Sequence, residues 1–187
     1  MAANMTMGRT PLWRRMRWVV WGGAGCLLAL PWVAMQFTRE VAWSGADFAV
    51  MGVMLGLACA AFELAVRVAR SHAYVLGAGV AVGTAFLLTW INLAVGIIGS
   101  ENNPANLMFF GVLLVGALAV IASRLHARGM ALAMEATAVA QAAVSLVTLA
   151  IGAGHVFVLT AVFVVLWLVA AQLFRKAARD QRSRVPA

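Results

Sequence analysis

Apolar residues crowd into six stretches of this chain, and polar residues gather in the short gaps between them. The stretches run near 18–37, 47–66, 73–99, 106–123, 130–152 and 156–174. Crossing a hydrocarbon layer of about 30 Å takes about 20 apolar residues in a helix, and each stretch is close to that length. The pattern predicts an all-α fold of six transmembrane helices with short loops. No segment between or beyond them reaches the roughly 50 residues of an independent domain. Residues 1–187 are therefore read as a single integral membrane domain.

Several span ends have local causes. Ser44 and Asp47 have the spacing of a capping box for the second span, with the carboxylate at the positive end of the helix dipole. Asn103 can cap the fourth span, and Pro104 suits a first helical position because its missing N–H is not needed there. Gly152, Ala153 and Gly154 form a tight turn between spans five and six, and Arg128-Gly129 is expected to break the chain between spans four and five. Span three is expected to run through to Gly99. Pro31 lies inside the first span and should kink it. Aromatic rings favour membrane interfaces: Trp13, Trp18, Trp21, Tyr74 and Phe174 mark one side, and Trp32, Phe37, Trp43, Phe109, Phe110 and Phe157 the other.

Composition agrees with the pattern. The chain is 64% hydrophobic and 11% charged, against about 45–50% and about 25% in soluble domains. Its formal net charge of +8 raises the question of nucleic acid, and the distribution answers it. Arg9, Arg14, Arg15 and Arg17 precede span one; Arg67 and Arg70 follow span two; Arg124 and Arg128 follow span four. Arg175, Lys176, Arg179, Arg182 and Arg184 follow span six. With both termini in the cytoplasm, Arg39 alone of the 14 lysines and arginines lies outside. This is the positive-inside pattern of an inner-membrane protein. The implied contacts are membrane lipids, and no nucleic-acid partner is expected. The first apolar run is too long for a usual signal peptide and lacks a small-x-small site after it, so it reads as an uncleaved span.

Polar groups inside lipid are costly, so each is a candidate for function. Glu63 and Arg67 lie one helical turn apart, as an ion pair or as part of a proton or cation relay. Thr137, Gln141, Ser145 and Thr148 fall in one narrow stripe of span five, spaced for hydrogen bonds to neighbouring helices or for a water-filled path. Asn92 in span three has two donors and an acceptor to satisfy and should meet another helix. Glu135, off the stripe, is expected to snorkel to the interface. Gly52-x-x-x-Gly56 and Gly79-x-x-x-Gly83 permit close helix packing. Arg39, Glu40, Trp43 and Asp47 form one outer-loop set, and Glu101, Asn102, Asn103 and Asn106 another. Together they are solvated loops, a vestibule or a docking surface.

Catalytic motifs are missing. Cys26 and Cys59 are isolated, and His72, His126 and His155 sit at span ends, so neither a metal site nor a haem is expected. No H-E-x-x-H, G-x-S-x-G or P-loop occurs. No cofactor and no enzyme activity are expected.

The run AMQFTREVAW at 34–43, with Asp47-Phe48 and Glu63-Leu64, resembles a family of small bacterial multi-pass inner-membrane proteins. WINLAVGIIGSE at 90–101, followed by Asn103-Pro104-Ala105-Asn106, is similar to the same family. The likeness covers roughly 34–115. It implies a bacterial inner-membrane setting and draws attention to the outer loops, and it brings no activity or functional residue. Arg39 stands where that family is usually acidic, and Ala42 where it usually has Asn, which weakens a cation site in the first loop.

The expected function is a non-enzymatic accessory or structural subunit, or a homo-oligomeric membrane component with copies or a partner subunit around it. The alternative is a small solute or ion transporter lined by Asn92 and the span-five stripe. A lipid-acting enzyme is the remaining alternative. The orientation has a direct test. A cysteine placed at residue 102 should react with an impermeant thiol reagent in intact cells, and one at residue 126 should not. The opposite result would reverse the topology, and labelling at both would undo the span count.

Overall fold

A computed structural model describes residues 11–183, with side chains from Arg17 onward. Arg9 and Arg184 lie outside the described residues, as do the side chains of Trp13, Arg14 and Arg15. Six helices account for most of the described chain: α1 (Pro11–Ala34), α2 (Gly45–Val68), α3 (His72–Ala94), α4 (Leu107–Ser123), α5 (Ala127–Ala150) and α6 (Phe157–Arg182). No strand occurs among the described residues. Taken with the 3-10 turns that lead into α4 and α6, the helices give six spans of 18 to 29 residues, each long and apolar enough to cross a membrane.

The chain divides into two compact units at Val68 and Ala69. In the first, α1 pairs with α2, and Leu28 of α1 lies against Gly52 of α2. None of the α1 residues from Arg17 to Ala34 is buried. The box before α2 forms as expected: the Ser44 amide donates to Asp47 Oδ2 at 2.7 Å, and the Asp47 amide donates back to Ser44 Oγ at 3.3 Å.

In the second unit α6 packs between α3 and α5, and α4 packs on α5. Ser71 caps α3 by accepting from the Tyr74 amide. The Tyr74 ring meets Phe174 edge-on at 5.0 Å, and its hydroxyl donates to the Leu125 carbonyl at 2.7 Å. That bond holds the α4–α5 turn, where Arg124 and Leu125 both take positive φ, 48° and 59°. Two such residues without glycine are uncommon, and Ser123 Oγ adds support by accepting from the Leu125 amide. Arg128-Gly129 is therefore not the break. Gly129 lies inside α5, where an added Cβ would press on Ser123 at 2.8 Å.

The second difference is the end of α3. The helix stops at Ala94 rather than Gly99. Gly96 and Gly99 have φ of 71° and 72°, and a Cβ on Gly96 would run into the Ser100 backbone. The chain turns back there, and Ile97 and Ile98 tuck into a core with Leu88, Phe109, Val156 and Phe163. Tyr74, Phe109 and Phe174 are fully buried too, so these three rings pack within the core.

The outward faces carry many large apolar side chains, while Thr137, Gln141, Ser145, Thr148 and Thr160 are buried. A water-soluble protein rarely exposes apolar surface so extensively. The arrangement fits a membrane protein.

Of the expected glycines, Gly52 takes an ordinary contact with Leu28, and the tightest approaches fall on others. Gly56 and Gly83 have open space around a would-be Cβ, whereas one on Gly77 would lie 3.3 Å from Leu173 and Phe174. One on Gly116 would lie 3.0 Å from Thr137 Oγ1. Gly116→Ala should therefore destabilise the α4–α5 contact by about 1–3 kcal/mol, and adding Thr137→Ala should recover most of that loss. Gly56→Ala should be neutral or stabilising by up to about 1 kcal/mol. Unfolding in detergent measures all three, and an additive double variant would refute the contact.

Candidate functional site

Asn106 is the polar centre of the α3–α6 unit. It ends a single 3-10 turn, Pro104–Asn106, opened by Asn103, whose side chain accepts from the Ala105 amide at 3.0 Å. Its own side chain reaches back over the loop. Oδ1 accepts from the Ile98 amide at 2.8 Å, and Nδ2 donates to the carbonyls of Ser100 at 2.7 Å and Ile98 at 3.4 Å. The Asn106 carbonyl accepts from Asn92 Nδ2 at 3.1 Å. Asn92 thus does meet a neighbouring element, the turn leading into α4. Asn106 is buried, so it belongs to the interior and not to a solvated loop. Glu101 and Asn102 are exposed and bond to each other, and Asn103 is half-buried.

The α5 stripe is fully inward, as its spacing predicted. Its hydroxyls do not cross to other helices, however. Thr137 donates to the Ala133 carbonyl, Ser145 to Gln141 and Thr148 to Ser145, all at 2.7 to 2.9 Å. Thr84, Thr89 and Thr160 do the same on α3 and α6. The physical reason is reach: a hydroxyl on a helix always has the carbonyl one turn back within bonding distance.

The amides behave differently. Gln141 is fully buried, and neither Oε1 nor Nε2 has a hydrogen-bond partner. Asn92 Oδ1 and Trp167 Nε1 are likewise buried without one. Counting back from the α5 end at Ala150 and forward from the α6 start at Phe157, Gln141 and Trp167 lie at matching depths on adjacent antiparallel helices. Trp167 was not foreseen, because one tryptophan in an apolar run gives no sign of its burial. The open positions on Gln141 and Trp167 are two donor nitrogens and one acceptor oxygen, all neutral. They suit water or a neutral polar solute better than an ion.

Glu63 lies in the α1–α2 unit. Arg67 donates to its Oε1 at 2.5 Å, Arg17 approaches the same oxygen at 3.4 Å, and Trp21 Nε1 donates to Oε2 at 3.1 Å. Both carboxylate oxygens are engaged, which is the geometry of an ion-pair anchor. Arg17 and Trp21 stand one turn apart on α1, as Glu63 and Arg67 do on α2. In the same unit Arg39, Glu40 and Asp47 are exposed, while Trp43 packs edge-on against Phe48 at 5.2 Å. Glu135 pairs with Arg175 rather than reaching out alone. Their atoms are 2.7 Å apart, although the guanidinium N–H is not aligned for a hydrogen bond.

No family model, no curated protein and no solved structure matches the chain. The geometry must carry the functional reading. Among the described residues no group of three or more His, Cys, Asp or Glu is placed to hold a metal ion.

The Asn106 clamp has a specific consequence. Asn106→Leu strips partners from the Ile98 amide and two carbonyls, and leaving such groups unmatched costs about 1–3 kcal/mol each. Asn92→Leu should cost about 0.6–2 kcal/mol, the range for one interhelical bond. Hydrogen exchange at the Ile98 amide should accelerate in Asn106→Leu and stay unchanged in Asn102→Ala. Equal exchange in both would remove the clamp.

Proposed function

We propose that this chain is a non-enzymatic component of a bacterial inner membrane, with both termini cytoplasmic, acting as an accessory or structural subunit. It works as a homo-oligomer or beside a partner membrane subunit. The observation that carries the reading is the fate of the membrane-depth hydroxyls. Six of them donate to carbonyls of their own helices, and Asn92 braces the turn into α4. Groups engaged in this way stabilise a packed seam and leave few donors facing a path. Glu63, saturated by Arg17, Trp21 and Arg67, supports the same reading against a proton relay. The arginine distribution supports the orientation, and the likeness of 34–115 to small bacterial membrane proteins supports the setting.

A small-solute transporter is the second reading, and the open amide of Gln141 facing the depth of Trp167 favours it. One substitution separates the two. If Gln141 only fills the seam, Gln141→Leu removes an unmatched buried amide and should leave stability unchanged or raise it by about 1–3 kcal/mol. Native mass spectrometry should then show the same oligomer or partner complex, and vesicles holding wild-type or variant protein should pass solutes no faster than protein-free ones. Solute movement by the wild type that is abolished in a stable Gln141→Leu protein would overturn the structural reading. It would promote the transporter in its place.

A further inference from the structure

The start of α5 and the end of α6 enclose a cleft of about 320 Å³, wholly within the second unit. Its walls are Arg128 and Leu132 on α5 and Arg175, Arg179 and Arg182 on α6, with Ala131 and Ala178 leaving room between them. The three α6 arginines follow helical spacing and share one face. Glu135 is the one carboxylate lining the cleft, and Arg175 pairs with it at 2.7 Å. Among the described residues, Arg128, Arg179 and Arg182 form no ion pair. Four guanidiniums against one carboxylate leave the cleft at a net +3.

We propose that this cleft binds the phosphate headgroup of an anionic membrane lipid. Planar guanidiniums bond phosphate oxygens in pairs, and three are free to do so. The cleft also opens at the start of α5, where helix amides favour an anion and His126 makes no side-chain cap to them. The surroundings decide between a lipid and a free phosphate. Leu132 forms part of the wall and is 66% exposed, and Val139 and Leu146 continue its face at seven-residue spacing, 70% and 64% exposed. Leu168, seven residues before Arg175, extends the α6 side and is also exposed. A charged cleft that runs straight into an apolar stripe matches a headgroup with acyl chains below it. The inference rests on the chain lying in a bilayer, and it holds whether the protein is a subunit or a transporter.

The test uses the full chain in nanodiscs of phosphatidylcholine mixed with phosphatidylglycerol, followed by native mass spectrometry of the released protein. Phosphatidylglycerol should be retained in preference to phosphatidylcholine. Arg128→Gln with Arg179→Gln should weaken that retention roughly 25-fold, at about fivefold for each guanidinium near the membrane surface. Arg39→Gln with Arg70→Gln removes the same charge from exposed positions outside the cleft and should leave it intact. Arg128→Lys with Arg179→Lys keeps the charge without the paired geometry and should fall between the two. Equal loss in both glutamine pairs, or no preference between the lipids, would overturn the site. Displacement by inorganic phosphate at concentrations comparable to the lipid's would show a free-phosphate site and overturn the lipid assignment. A chain that stays out of the nanodiscs would overturn the site together with the membrane reading.

Discussion

A buried chain reversal is the most demanding thing a backbone can do, because its N–H and C=O groups have no water to turn to. Between α3 and α4 this protein reverses direction and buries Ile97 and Ile98 in doing so. One side chain makes that tolerable. Asn106 supplies the acceptor for the Ile98 amide and the donor for the Ile98 and Ser100 carbonyls, while its own carbonyl receives Asn92. The last turn of α3 and the approach to α4 are thereby held by one clamp. The position of α4 in turn sets Gly116 against Thr137, and so the seam with α5.

Features governed by neighbours in sequence were legible before the structure. The six apolar runs follow from length and hydropathy, and the Ser44–Asp47 box and the Asn103-Pro104 start follow from groups three residues apart or fewer. The end of α3 was not legible in the same way. Ile97 and Ile98 are as apolar in a buried loop as in a helix facing lipid, so hydropathy cannot tell the two apart. The sign was there in Gly96, Gly99 and the asparagine seven residues on, but it reads as a turn only once the three are seen to close on each other. The Arg124–Leu125 turn left even less trace. Its left-handed residues are not glycines, and the Tyr74 hydroxyl that holds it comes from 51 residues away.

The candidate site divides along the same line. Spacing was enough to place Glu63 beside Arg67, and to put Thr137, Gln141, Ser145 and Thr148 on one buried face. It said nothing of Arg17 and Trp21, which reach Glu63 from another helix, or of Arg175 on Glu135. It also could not name the acceptors of the hydroxyls. A stripe of threonine and serine is consequently a poor indicator of a pathway, because each hydroxyl can satisfy itself on its own helix. A primary amide has too many donors and acceptors to do so.

That asymmetry gives Gln141 its weight. Packing alone would be served by leucine at this position, since an unmatched amide in the interior lowers stability and contributes no bond in return. Trp167 presents the same problem one helix away, with a lone donor at the same depth. Buried waters characteristically answer such groups, with about three bonds each. The charged groups among the described residues, by contrast, lie in loops or toward the ends of helices, and Glu63 and Glu135 are paired with arginines. The molecule therefore separates its polar chemistry by depth, with guanidiniums at the ends and neutral amide and indole groups in the middle. An ion passing through the α3–α6 unit would meet no countercharge along the α5 stripe, whereas a water molecule would meet both a donor and an acceptor on Gln141 alone.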